Sequence, residues 1–210
     1  MRVAAAVVLL LVVAGCGSAH ARPTAGAQNV SSKIVPPKTV DAFRMRGWNA
    51  AGFHALKLGT RVDGGFSGHR LFSNRSDGFA LGCLTATEGC ATYPLATTDG
   101  GKTWRVAGPI VDVGGAGQAG GYVSTAGAVD ARHWFLCCGG DTVADVTPDA
   151  GKHWWTAAFP GEVVTVVAGE PSFNARVVAV VRPYGTHQLW IYVSRDGRRW
   201  TYDPRLTSIY

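Results

Sequence analysis

A stretch of eight residues comes back twice along the chain at a nearly constant interval, and nothing else in the sequence narrows the fold as much. The copies are Thr97-Thr98-Asp99-Gly100-Gly101-Lys102-Thr103-Trp104, Thr147-Pro148-Asp149-Ala150-Gly151-Lys152-His153-Trp154 and, one residue shorter, Ser194-Arg195-Asp196-Gly197-Arg198-Arg199-Trp200. Asp99 and Asp149 lie 50 positions apart, and Asp149 and Asp196 lie 47 apart. Such a period marks a repeat architecture, and roughly 40–50 residues is the size of one four-stranded sheet in a radially repeated all-β fold.

Each residue type in the stretch has a physical reason to be there. A hydroxyl residue, then Asp two positions on, then Gly, is turn chemistry: the carboxylate accepts backbone N–H bonds across a tight loop, and Gly tolerates the positive φ. The closing Trp starts the return strand and buries a large apolar face under the turn. Thr97, Asp99, Gly101 and Trp104 thus read as one hairpin clasp. Thr147, Asp149, Gly151 and Trp154 read as a second, and Ser194, Asp196, Gly197 and Trp200 as a third. The role is structural, so none of the three aspartates is a candidate catalytic acid.

The pattern Ser/Thr-x-Asp-x-Gly-x-x-Trp resembles the Asp-box, or BNR, repeat of bacterial sialidases, sortilin-type receptors and photosystem II assembly-factor-like propellers. Two copies match at every position; the third lacks one residue between Asp196 and Trp200, so its turn must be tighter. In those families the box lies on the outer edge of a blade, away from the central channel. The resemblance, over about two thirds of the chain, implies a β-propeller-like fold and says far less about activity.

The rest of the folded part agrees with an all-β class. Glycine is abundant at 28 residues, and short β-branched and aromatic runs alternate with Gly, Asp and Pro. Ahead of the clasps, Gly78–Cys83, His133–Cys138 and Val177–Val181 occupy equivalent places and read as central strands of three units. The runs Val163–Val167 and Gln188–Val193 read as neighbouring strands of the third. The segment Thr39–Phe66 carries no clasp, but Phe43, Trp48, Phe53 and Leu56 can supply a degenerate first blade. The expectation is a small four-bladed closed propeller, since closure hides sheet edges. The alternatives are an open three-bladed arc completed by a partner or by a homo-oligomer, and an unrelated β-sandwich.

The chain divides into residues 1–16, 17–38 and 39–210. Met1-Arg2 is a short basic start, and Val3–Val13 is an apolar run of about 11 residues, too short for a membrane span and suited to an export signal. It ends in Val13-Ala14-Gly15-Cys16, which resembles the bacterial lipobox. The resemblance implies diacylation of Cys16, a membrane partner through the lipid anchor, and an extracytoplasmic location. Residues 17–38 are rich in Ala, Gly, Ser, Thr and Pro and read as a flexible tether. Asn29-Val30-Ser31 and Asn74-Arg75-Ser76 match a glycosylation sequon, which carries no meaning in a bacterial lipoprotein.

Four cysteines remain beyond Cys16, an even number that favours disulfides in an exported chain. The preferred pairing is Cys83 with Cys90 across a hairpin, which leaves Cys137 and Cys138 as a vicinal bridge or free. Pairings of Cys83 with Cys138 and Cys90 with Cys137, or of Cys83 with Cys137 and Cys90 with Cys138, stay open.

Sialidase-like chemistry, which the resemblance raises, needs an arginine cluster, a Tyr nucleophile with a Glu partner, and an Asp acid. The chain has three glutamates, Glu88, Glu162 and Glu170, and no Arg-Ile-Pro signature near its start; Arg182-Pro183 comes too late to replace it. Arg182, Tyr184 and Glu162 or Glu170 are the residues such a site would have to use. The six histidines show no metal-ligand spacing, so no metal or cofactor is expected, and His133 and His153 read as packing or surface residues. The formal charge of +6 is dispersed except for Arg195, Arg198 and Arg199, and no motif points to nucleic acid. The reading is a lipid-anchored β-propeller-like binding or assembly module for an envelope protein or a glycan. The alternative is a sialidase-like glycoside hydrolase or carbohydrate-binding protein.

Overall fold

The computed structural model describes residues 34–46, 54–86, 89–114, 123–138, 142–169, 177–206 and 208–209. The expected export signal, Cys16 and most of the tether lie outside them. Strands follow in chain order: β1 (Thr39–Asp41), β2 (Phe43–Arg44), β3 (Arg61–Val62), β4 (Phe66–Phe72), β5 (Gly78–Ala86), β6 (Gly89–Thr97), β7 (Trp104–Val106), β8 (Asp112–Gly114) and β9 (Val123–Ala128). They continue as β10 (Trp134–Cys138), β11 (Val143–Thr147), β12 (Trp155–Ala158), β13 (Glu162–Ala168), β14 (Val177–Arg182), β15 (Gln188–Ser194), β16 (Arg199–Tyr202) and β17 (Ser208–Ile209). No helix occurs among the described residues.

These strands make three antiparallel sheets. The first runs β3-β7-β6-β5-β4 with β8 beside β6; the second runs β2-β12-β11-β10-β9; the third runs β1-β16-β15-β14-β13 with β17 beside β15. The runs read as central strands are β5, β10 and β14. Period-2 alternation sends their side chains to opposite faces. Phe79 and Leu81 of β5 meet Trp134 and Leu136 of β10, while Phe135 and Cys137 of β10 meet Val163, Ala179 and Val181 of the third sheet. The Phe79 and Trp134 rings stack with centroids 4.8 Å apart. The second sheet is therefore packed on both faces.

Two expectations are corrected. The segment Thr39–Phe66 is not a first blade: its described strands β1, β2 and β3 add to the third, second and first sheets in turn, pairing with β16, β12 and β7. Strands of two or three residues cannot form a sheet of their own, whereas the strand after each clasp leaves an edge whose backbone groups need partners. Trp48 and Phe53 lie outside the described residues. Nor do the sheets close: the first and third share no core cluster among the described residues, so a four-bladed closed ring is not formed.

Candidate functional site

The three clasps are built from the same bonds with one informative change. In the first, Thr97 Oγ1 donates to Asp99 Oδ1 at 2.7 Å and accepts from Gly101 N at 3.0 Å; Asp99 accepts from Thr103 N at 2.9 Å and from its hydroxyl at 2.6 Å. These hydrogen bonds, the Thr103 hydroxyl first, hold the Asp99 carboxyl well below its ordinary range. In the second, Thr147 and Gly151 repeat the geometry at 2.9 Å, and Asp149 accepts from His153 N at 2.8 Å and meets its Nδ1 at 2.5 Å. Burial alone would raise the Asp149 pKa; the bonds from the His153 ring and backbone and from Thr147 outweigh it, and the pKa is lowered. In the third, Asp196 caps Arg198 N, two residues on rather than four, and Ser194 Oγ accepts from Gly197 N at 2.9 Å. One residue fewer closes the turn sooner.

Two clasps also dock one sheet on the next. Trp104 and Trp200 donate to their own turns, at Gly101 O and Gly197 O, but Trp154 Nε1 reaches Ala107 O beside the first sheet at 3.2 Å. A Cβ on Gly151, where φ is +85°, would fall 1.8 Å from that same carbonyl oxygen. A Cβ on Gly197, where φ is +76°, would fall 2.4 Å from Val146 of the second sheet. The glycines thus serve close approach as well as turn geometry.

Further turn devices went unread in the sequence. Asp130 accepts from the N–H groups of Arg132 and His133, and its two oxygens lie 2.8 and 2.9 Å from His133 Nδ1. Asn74, of the unused sequon, caps Ser76 N and Asp77 N, both at 2.8 Å. The signal available was an Asp or Asn four residues before a strand, within reach of the N–H groups two and three residues on.

Cys83, Cys137 and Cys138 lie toward the ends of β5 and β10 remote from the clasps. Cys137 and Cys138 form a vicinal disulfide, and Cys138 sits at a β-bulge with φ +81°. Cys83 is also disulfide-bonded; the side chain of Cys90, its expected partner, lies outside the described residues. The inter-sheet staples joining Cys137 or Cys138 to Cys83 or Cys90 are excluded by the vicinal bond.

The residues a glycosidase would need are placed as surface groups. Arg182 Nη1 lies 3.4 Å from Glu162 Oε2 because the two face each other across β13 and β14, both partly exposed. Tyr184 is 64% exposed in the turn that follows; Glu88 and Glu170 lie outside the described residues. Arg182 is thus already paired by strand register. Among the described residues no three His, Cys, Asp or Glu side chains are grouped to hold a metal ion, and no helix is long and apolar enough to cross a membrane.

The far face of the third sheet carries an apolar band. Opposite the buried Val177, Ala179 and Val181, alternation turns Val178 and Val180 outward, and register sets Val193 and Ile191 beside them. Leu189 and Val167 extend the band, Val167 with 43% of its surface open. Glu162 and Arg182 border it at one end; Asp41 and Arg199, 3.6 Å apart on β1 and β16, border its edge. No family model, curated protein or solved structure matches the chain.

Proposed function

We propose that this chain is a binding or assembly module of Asp-box, propeller-like type, held on the outer side of a bacterial membrane by a lipid on Cys16. The observation that carries the binding role is the outward apolar band of the third sheet with its paired-charge border. Surface patches of this kind, apolar at the centre and polar at the rim, are interaction sites. The anchoring half rests on the Val13-Ala14-Gly15-Cys16 pattern behind a short apolar run, since two acyl chains hold a protein stably where one does not.

The experiment is chemical cross-linking in intact envelopes of cells expressing the full chain or its Val180→Lys variant, followed by mass spectrometry. The reading expects a protein adduct with the wild type that disappears in the variant. The same adducts with both chains would exclude the band as the contact. Phase partitioning of Cys16→Ser checks the anchor separately: the variant should move from the detergent to the aqueous phase.

A further inference from the structure

We infer that the outer face of the third sheet is the contact between two copies of this chain, packed face to face about a two-fold axis. The inference rests on reading that face as a docking surface, and three observations favour a second copy as its occupant.

The first is charge. The chain carries +6 overall, yet the border of the face holds two acids and two bases, Glu162 with Arg182 and Asp41 with Arg199. An anionic polymer or lipid surface is recognised by surplus positive charge, which this face lacks. Each border region has both signs, so a copy of the same face can meet it acid to base, as an isologous contact requires.

The second is the manner in which these sheets already pack. The inner face of the third sheet presents β-branched and aromatic side chains to a sheet of the same construction, where Val163, Ala179 and Val181 meet Phe135 and Cys137. The outer face offers the same alternation with β-branched side chains, Val167, Val178, Val180, Ile191 and Val193 beside Thr165 and Thr201, so a further sheet is the surface that fits it, at about 10 Å spacing.

The third is area. Three strands of six to seven residues and the shorter β16 and β1, of four and three, at about 4.8 Å spacing and about 3.3 Å per residue, present roughly 430 Å² per copy. A pair then buries roughly 860 Å², below the size of stable specific interfaces and in the range of weak, transient ones. The contact is therefore reversible and depends on concentration, which on a membrane is raised by anchoring both copies in one plane.

The test is sedimentation equilibrium of the purified full chain across a wide concentration range, in mild detergent. A reversible rise in mass toward twice 22.1 kDa is expected for the wild type and for Leu58→Lys, an exposed apolar position away from this face. Val180→Lys should stay monomeric with an unchanged thermal midpoint. If Val180→Lys unfolds the chain, Val167→Lys replaces it, since that position is already 43% open. A monomeric wild type whose envelope adduct is still lost in Val180→Lys overturns the second copy and leaves the docking surface standing. A dimer that Val180→Lys and Val167→Lys leave intact overturns both.

Discussion

The outward faces of the first and third sheets are built alike and finished differently. On the first sheet, Ala80, Tyr93 and Leu95 are at most 2% exposed, the Tyr93 hydroxyl accepts a bond from Leu56 N at 3.1 Å, and Phe66 packs edge-on to Trp104. On the third, Val178, Val180 and Ile191 are partly open, and Val167 more so. The difference lies in chain order. Leu56 and Gly59, ahead of the first sheet, bond to Tyr93 and Val106 of it, whereas among the described residues the third sheet receives from that same segment an in-plane edge strand, β1. The all-β stack thus covers the outer face of its first sheet more fully than that of its third.

Substitutions on the two sides of the third sheet should therefore behave in opposite ways. The largest effect is expected within. Trp200 is fully buried, with its ring centroid 5.3 Å from that of Phe159 and its Nε1 bonded to Gly197 O; Trp200→Ala should cost about 3–5 kcal/mol in urea unfolding. Next comes Gly151→Ala, where the new Cβ meets backbone rather than a movable side chain; about 2–3 kcal/mol is expected from strain and displacement together, read from the same denaturation curves.

Asp149→Ala should cost about 1–2 kcal/mol near neutral pH, the loss of a cap over backbone donors. Because its folded-state pKa is depressed, the carboxylate's contribution is complete above the unfolded value of about 3.9 and fades as pH falls through the lower, folded value. The gap between wild type and variant in thermal midpoint should narrow at acid pH. The smallest effect on stability is expected from Val180→Lys, within about 0.5 kcal/mol, although it should remove association. A large loss of stability there would mean that the outer face is as much core as the inner one.

Much of this organisation is written in short-range pattern. The three clasps, the central strands and the period-2 faces follow from residues a few positions apart, which is why Asp99, Asp149 and Asp196 could be read as turn caps. Where the segment Thr39–Phe66 would go could not be read in the same way. Strands as short as Phe43–Arg44 carry almost no periodicity, and what places them is the unpaired edge of a strand more than 100 positions away. Cross-sheet contacts such as Trp154 to Ala107 are hidden for the same reason: nothing in the second clasp differs from the first in a way that announces a donor aimed elsewhere. The outer band of the third sheet lay in plain view in the Val177–Val181 run, but only the register with Ile191 and Val193 tells which half of it is buried.

The contrast between the two terminal faces can be measured directly by carbene footprinting of the full chain, dilute and concentrated, with labelling read peptide by peptide. Val178, Val180, Ile191 and Val193 should label when dilute and become protected when concentrated, while Ala80, Tyr93 and Leu95 stay unlabelled throughout. Equal labelling of the two faces, or labelling of the third sheet that ignores concentration, would contradict that expectation.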